Sequence, residues 1–211
     1  MRKTSLTLIV LCSALIWGAW GYAQTEPAPM CPPPAGPVVG PRFQDNGDGT
    51  ISDHQTGLRW EKKTGEIGVK PETPDIHDVN NRYYWSGFPG TDQDGTVFAD
   101  FLGTLNYNQS SDGITTTGCF ANYCDWRLPT SVELQEIIEN TEPECGPSRM
   151  CIDEIFGPTL RRAYWSGTTD EREISFAWEV HFEFSRALNL PGLGQGFKTS
   201  NFPARAVRCD E

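Results

Sequence analysis

Hydrophobic and polar positions divide the chain into short strands, two helices and long polar loops. Residues 43–62 alternate short apolar runs with turn residues, and the glycines at 47, 49 and 57 supply positive-φ positions, so this segment predicts three strands joined by tight turns. Residues 63–95 are polar and rich in Pro, Asn, Asp and Gly, which predicts a long irregular stretch.

Two segments have the spacing of amphipathic helices. Apolar residues from Val97 to Leu105 recur at helical intervals and predict a first helix near 97–106. Thr130 and Glu133 have the pattern of a capping box, and the apolar stripe that follows predicts a second helix over 131–140. Residues 107–118 and 141–163 predict further loops.

The C-terminal part of the chain has strand patterns. Residues 164–166 predict a short strand. In 176–184 large apolar side chains alternate with Ala177, Glu179, His181 and Glu183, which predicts one buried face and one polar, solvated face. Residues 187–190 and 205–208 predict later strands. The order of strands, helices and strands is typical of an α+β fold with antiparallel sheets.

The N-terminal residues have the pattern of a targeting signal. Arg2 and Lys3 precede a mostly apolar run over 5–20, and small residues stand at Gly21 and Ala23, so we expect a signal peptide over 1–23. Residues 24–41 contain seven prolines and predict an extended tether before a domain over 42–211. The apolar run is short for a bilayer span and no later run approaches one, so we expect an exported protein, periplasmic or secreted, without a membrane span after cleavage.

The net charge of the chain argues against some classes of binding partner. The chain has 28 acidic and 17 basic residues and a formal net charge of −11. Removal of Arg2 and Lys3 with the signal peptide would change this charge to −13. The basic residues are scattered, so the sequence argues against nucleic acid and other polyanions as the main partner.

Six cysteines remain when Cys12 of the apolar run is set aside. An even number in an exported chain is typical of disulfides. Two pairs are close in sequence, and their removal leaves the two terminal cysteines to join each other. The predicted bonds are Cys119–Cys124, Cys145–Cys151 and Cys31–Cys209. The alternative, a zinc site, is disfavoured because no C-x-x-C occurs and the three histidines lie far from the cysteines.

The pattern of reactive side chains does not favour catalysis. No G-x-S-x-G occurs, and His181 between Glu179 and Glu183 is typical of a solvated cross-strand pair. We therefore expect no catalytic residue and no cofactor. Calcium is the alternative, because Asp45, Asn46 and Asp48 share one turn and Asp92 and Asp94 another, although such residues also form turns without a metal. Glu142-Pro143-Glu144 is a weak match to the carboxylate-proline-amide motif of sugar-binding C-type lectins.

Aromatic residues fall into two groups. Most are expected in the core or in structural roles. Those in the polar region are the better candidates for a ligand surface, together with two nearby amides. The structural set is Trp60, Asp125, Trp126, Arg127, Pro129, Trp165 and Trp178, and the ligand set is Tyr83, Tyr84, Trp85, Asn106 and Asn108. Within the structural set, residues 125–127 are expected to fix the start of the second helix by packing and an ion pair.

Four stretches in this order resemble one family. They are Phe43 to Thr50 with Thr56 to Trp60, Asp125 to Thr130 with Glu133-Leu134, Tyr164 to Ser166, and Arg205 to Arg208. Together they resemble the Lcl C-terminal domain family, whose namesake is the terminal domain of a bacterial collagen-like adhesin. The resemblance implies a fold related to C-type lectins, with two helices against antiparallel sheets and long irregular loops. It also implies export and no catalysis.

The chain departs from the family pattern at two positions. Leu102 and Ala206 stand where many members carry cysteines, so both halves of one disulfide are missing together. The sulfated-polysaccharide preference of the namesake conflicts with the acidic charge of this chain, and no collagen-like repeat is present.

We expect a recognition or adhesion domain that binds a glycan or protein at the cell envelope or outside the cell. The alternatives are a purely structural envelope domain and, least favoured, a hydrolase. A binding domain should expose an aromatic and polar patch within 63–118 or 141–163, whereas a structural domain should have self-packed loops there.

Overall fold

The computed structural model shows a mixed α/β fold dominated by antiparallel sheets. It describes residues 31–32, 34, 36–38, 40–88, 90–107, 118–139, 145–146, 149–185 and 190–210. The expected signal peptide, much of the tether, Asn108 and residues 142–144 therefore lie outside the described residues. Within the described ranges, no helix has the length and apolar character needed to cross a bilayer.

The strand pairs of the described residues are all antiparallel, and the parallel contacts are single bridges. In chain order they are β1 Phe43–Asp45, β2 Thr50–Asp53, β3 Leu58–Glu61, β4 Tyr83–Tyr84, β5 Ala163–Thr169, β6 Phe176–Ser185, β7 Leu190–Phe197, β8 Asn201–Phe202 and β9 Val207–Cys209. Within the described residues they form sheets of order β1-β2-β3-β9, β5-β6-β7 and β4-β8. The three strands predicted over 43–62 are confirmed, and Gly47 and Gly49 have φ of 77° and 86° in the first turn.

The two predicted helices are present but shorter or less regular than expected. A π-helix, Val97–Leu102, continues directly into α1, Gly103–Tyr107. Helix α2, Ser131–Glu136, begins with the predicted capping box, in which Thr130 Oγ1 accepts from Glu133 N at 3.1 Å. It ends four residues before the predicted position 140, because the chain turns at Ile137 and Glu139 N donates to Cys151 O at 3.0 Å.

The β5-β6-β7 sheet is covered on both faces by separate core clusters. Tyr164, Val180 and Phe182 belong to one cluster, whereas Trp165 and Ala177 belong to the other. This two-sided burial corrects the predicted pattern of 176–184. Ala177 and Glu179 are buried at 0% and 7% exposure, whereas Phe176 and Trp178 are only partly buried.

The six cysteines form the three disulfides that their spacing predicts, Cys31–Cys209, Cys119–Cys124 and Cys145–Cys151. The bond between Cys31 and Cys209 closes a sequence separation of 178 and joins the proline-rich N-terminal segment to β9. The chain-entropy estimate of its stabilising effect is about 5 kcal/mol, against about 2 kcal/mol for each short loop. Leu102 and Ala206 both lie in or against the second core cluster.

Candidate functional site

A long loop between β3 and β4 builds a groove on the surface. Its two prolines, Pro71 and Pro74, lack the backbone N–H that a strand ladder needs. The ends of the loop are joined by backbone hydrogen bonds: Thr64 N donates to His77 O at 3.0 Å, and Val79 N donates to Thr64 O at 3.0 Å. The loop thus returns to its own beginning, next to the end of β3.

The side chain of Asn80 holds the first half of this loop. Its Oδ1 accepts from Gly68 N at 2.7 Å, and its Nδ2 donates to Glu66 O at 2.8 Å and Val69 O at 3.0 Å. Asp78 Oδ1 in turn accepts from Asn80 N at 2.8 Å and from Nδ2 at 3.0 Å. One amide side chain therefore replaces the backbone ladder that this irregular segment lacks.

Asp75 and Asn81 hold the second half in the same way. Asp75 Oδ2 accepts from Thr64 Oγ1 at 2.6 Å and its Oδ1 accepts from His77 N at 2.9 Å. Asn81 Nδ2 donates to Asp75 O at 2.6 Å and to Ile76 O at 3.2 Å. Because these polar groups bond within the loop, its shape is fixed before any ligand arrives.

Glu61 joins the loop to the core. Its side chain is fully buried, and its Oε1 lies 2.7 Å from Lys63 Nζ and 2.8 Å from His77 Nδ1, while Oε2 accepts from Ala206 N at 3.1 Å. Burial raises the pKa of this carboxyl, but the Lys63 ammonium and His77 outweigh burial and hold the pKa of Glu61 below its ordinary value. The carboxylate thus fixes His77, a residue of the loop, against β3 and the segment before β9.

The groove has a volume of about 680 Å³. Much of its wall is apolar, and the charged side chains of Lys70 and Glu72 are exposed beside it. Tyr83 lies at its base with 7% exposure, and its hydroxyl donates to Ile76 O at 3.4 Å. Burial raises the pKa of Tyr83, so its hydroxyl stays protonated. The apolar wall residues are Val69, Pro71, Pro74 and Ile76.

A second groove is lined in part by Ile67 of the same loop. It has a volume of about 490 Å³ and is lined by Ile67, Met150, Ile152 and Pro158 among others. Ile67 lines the second groove and Val69 lines the first, and the two side chains are 54% and 50% exposed. We call residues 66–70 the ridge. The ridge is held by the bonds from Asn80, and it places one exposed β-branched side chain on each groove, a surface that can receive an extended ligand.

The residues predicted for ligand contact differ in their exposure and contacts in the structure. Trp85 is fully buried and its Nε1 donates to Ser166 O at 2.8 Å, so its prediction as a surface residue is wrong. Tyr83 is also in the core but lines the groove, and Tyr84 is 45% exposed in β4. Asn106 bonds to the Trp126 backbone at 2.7 and 2.8 Å, so it holds the core instead of a ligand. Asn108 lies outside the described residues.

Most of the predicted structural residues are in the core or in ion pairs. Trp60, Trp126 and Trp165 are buried at 0%, 2% and 0% exposure, and Pro129 is buried as well. Trp178 is only partly buried, with the Arg172 guanidinium 5.3 Å from its ring centre, so its place in a buried face is corrected.

The segment before α2 uses two separate ion pairs. Arg127 donates twice to Glu133, at 2.7 Å each, and Asp125 Oδ1 accepts from Arg208 Nε at 2.7 Å. The first pair joins the segment to α2, and the second joins it to β9. The expected tie through packing and an ion pair is therefore present, with one partner on each of these elements.

The acidic turns use their oxygens locally. Asp45 Oδ1 accepts from Gly47 N and Asp48 Oδ1 accepts from Thr50 N, each at 3.0 Å. Asp94 Oδ1 accepts from Ser86 Oγ at 2.9 Å and Gly87 N at 2.8 Å. Among the described residues, no group of three or more His, Cys, Asp or Glu side chains is placed to hold a metal ion.

The match to a known family covers most of the domain. Residues 49–208 match the profile of the Lcl C-terminal domain. The chain belongs to the Lcl C-terminal domain family. No curated protein matches it significantly in sequence. Both grooves lie inside the matched range, so the candidate site is part of the Lcl C-terminal domain itself.

Sequence reasoning missed two features of the site. The Glu61–Lys63–His77 network joins residues that are 16 positions apart, and nothing in their spacing signals it. The role of Asn80 could have been predicted, because Asp and Asn side chains commonly bond to nearby backbone in turns. The density of Asp and Asn in 75–81 therefore indicates a loop held by its own side chains.

Proposed function

We propose that this Lcl C-terminal domain is an exported, non-enzymatic recognition or adhesion domain that binds a glycan or protein through the ridge and its two grooves. The observation that carries the proposal is the pre-formed groove of about 680 Å³ beside two half-exposed apolar side chains. A loop whose hydrogen bonds are already made loses little conformational entropy on binding. Pockets with apolar walls and a few polar groups are typical of ligand sites.

The proposal includes the fold and the compartment. The fold is a C-type-lectin-like one, supported by the antiparallel sheets, two helices and long loops of a chain in this family. The compartment is the periplasm or the exterior, supported by three disulfides. Residues 1–23 are proposed as a signal peptide, 24–41 as a tether and 42–211 as the recognition domain.

No catalysis and no cofactor form part of this function. Asp75 and Asp78, the acids that line the groove beside Glu72, accept hydrogen bonds from the loop itself. Carboxylates that are held in this way are poorly suited to move protons for a substrate.

A purely structural envelope domain is the second candidate. The observation in its favour is the same set of internal hydrogen bonds. These bonds leave fewer polar groups for a ligand, because the loop itself uses the side chains of Asp75, Asp78, Asn80 and Asn81. The two candidates differ at the ridge. A structural domain has no use for Ile67 and Val69 at the surface, whereas a binding domain buries them in its ligand.

The test is a glycan array and a panel of purified envelope proteins, probed with residues 24–211 so that the Cys31–Cys209 bond is kept. Ile67→Asp with Val69→Asp should abolish the wild-type signal. Phe88→Asp is the matched control, because Phe88 is 97% exposed and lines neither groove. Equal binding by the ridge variant, or no specific wild-type signal on either panel, contradicts the proposal and favours the structural domain.

The ligand is not a polyanion in this proposal. A net charge of −11 for the whole chain repels sulfated glycans at long range. The domain should therefore pass through a heparin column at low salt, with lysozyme as a retained control. Retention that persists well above physiological salt would restore the sulfated ligand class of the family namesake.

A further inference from the structure

Strand β7 is the terminal strand of its sheet within the described residues. It pairs with β6 on one side, from Phe176 opposite Phe197 to His181 opposite Gly192. No strand of the described ranges pairs with its other side. An unpaired edge presents a row of backbone N–H and C=O groups that can accept another strand.

This edge lacks the charges that usually protect such strands. Residues 187–197 contain no charged side chain, in a chain of net charge −11. Pro191 removes one N–H near the start and leaves Gly192 to Phe197 able to pair. Two copies of an acidic protein repel each other at long range, and an uncharged edge is where they can meet at the smallest electrostatic cost.

The side chains of β7 differ between its two faces. Gly194 and Gly196 face the interior, where a Cβ would lie 2.9 Å from Glu179 Oε1 and 2.7 Å from Phe202 Cε2 respectively. Leu193, Gln195 and Phe197 are on the opposite face and are all exposed, Leu193 at 39% and Phe197 at 58%. The exposed face is thus apolar on both sides of the Gln195 amide, whose Nε2 donates to Asp170, a carboxylate already paired with Arg172.

We propose that β7 pairs antiparallel with β7 of a second copy of this chain, across a two-fold axis at Gln195. The spacing is symmetric about that residue, so Leu193 of each copy lies opposite Phe197 of the other. Residues directly opposite in antiparallel strands share a face and contact each other. The same surface serves both partners, as a two-fold interface requires.

The pairing joins two three-stranded sheets into one of six strands. Phe176 packs against Phe197 with ring centres 4.1 Å apart and ring planes tilted by 37°, so the new Leu193–Phe197 contacts extend an aromatic surface that already exists. A second copy is favoured over a foreign strand because its own β7 brings no charge to the edge and places an exposed apolar side chain opposite each Leu193 and each Phe197. The β7 edge is separate from the residues that line the grooves, so the pairing does not depend on what the grooves bind.

The first test is the mass of residues 24–211 by sedimentation over a wide concentration range. The wild type should shift from the monomer mass to twice that mass, and Leu193→Lys should remain monomeric. Ile174→Lys is the matched control, since Ile174 is 57% exposed but lies outside β7, and it should dimerise like the wild type. A monomer at every concentration, or a dimer that Leu193→Lys leaves intact, overturns the proposal.

The second test determines which β7 residues lie opposite each other in the two copies, and it uses substitutions that do not weaken the interface. Directly opposite residues have Cα atoms about 4.5–5.5 Å apart, which suits a disulfide. Gln195→Cys should therefore form a covalent dimer under mild oxidation, whereas Phe88→Cys at equal concentration should form at least tenfold less. Leu193→Cys should cross-link only when Phe197→Cys is added in the same chain. Equal cross-linking at 88 and 195 excludes this interface.

Discussion

The groove loop and the β5-β6-β7 sheet keep their shapes by different means. The loop between β3 and β4 depends on a few side chains, chiefly Asn80 and Glu61, which bond to backbone or to charges across it. The sheet depends on its backbone ladder and on two positions that have no side chain, Gly194 and Gly196. The loop should therefore lose its structure when one of these polar groups is removed. The sheet should be destabilised when a Cβ is added at one of the two glycines.

The largest effect is expected from Glu61→Ala. Removal of this carboxylate leaves Lys63, at 3% exposure, without its partner. Loss of one partner of a buried pair costs about 3–5 kcal/mol in the free energy of unfolding. Denaturant unfolding measures it, and Glu61→Gln with Lys63→Met should recover part of the loss because no charge is left unpaired. A Glu61→Ala variant within 1 kcal/mol of the wild type would show that the network does not hold the loop.

Asn80→Ala should act on the loop alone. It removes three bonds donated by Nδ2 and one bond accepted by Oδ1, at about 1 kcal/mol each. Hydrogen exchange at the Gly68 amide should accelerate strongly, while amides of β6 keep their wild-type rates. Uniform acceleration in both regions would mean that the loop and the sheet unfold as one unit.

Gly196→Ala tests the sheet by adding an atom, whereas the two preceding variants remove polar groups. The added Cβ would lie 2.7 Å from Phe202 Cε2 and 2.9 Å from Trp165 Cη2, and such overpacking costs about 1–3 kcal/mol. Gly103→Ala is the matched control. Its φ is −57° and the nearest atom to its Cβ is 3.6 Å away, so it should stabilise by about 0.5–1 kcal/mol. Thermal unfolding distinguishes the two, and a neutral Gly196→Ala would show that Phe202 moves freely.

The smallest effect is expected at His181 of β6. Its Nε2 lies 3.2 Å from Glu179 Oε1, and this hydrogen bond raises the pKa of His181 although burial opposes it. A raised folded-state pKa stabilises the protein below the ordinary value of 6.5, and the contribution disappears as the pH rises through the folded-state pKa. His181→Gln should therefore cost about 0.2–1 kcal/mol at pH 5.5 and almost nothing at pH 9. A cost that is equal at both pH values would exclude the charged pair.

The sequence predicted features that are set by local chemistry. The capping box at Thr130, the turn glycines 47 and 49, and the close pairs Cys119–Cys124 and Cys145–Cys151 all depend on residues within a few positions of each other. The family match over 49–208 begins at the end of the stretch from Phe43 to Thr50 and contains the other motifs in full.

Features that depend on distant residues could not be predicted in this way. Trp85 belongs to a polar, loop-like stretch, yet the backbone carbonyl of Ser166, 81 positions away, accepts its indole N–H in the core. Glu179 has the pattern of a solvated residue, but the glycines of β7 leave room for its carboxylate inside the domain. The burial of both residues is set by their position in the fold, and the pattern of neighbouring residues in the sequence does not report that position.

The bond between Cys31 and Cys209 also determines how the domain carries mechanical load. A pull on the chain before residue 31 and after residue 209 passes directly through the two sulfur atoms and bypasses the 178-residue separation that they close. The sheets and the groove loop then bear no tension, and stretching can extend only the residues outside the bond. If a ligand in the grooves were pulled instead, the force would enter through the ridge and leave through β9 or through the chain at Cys31, so the groove network would lie in its path.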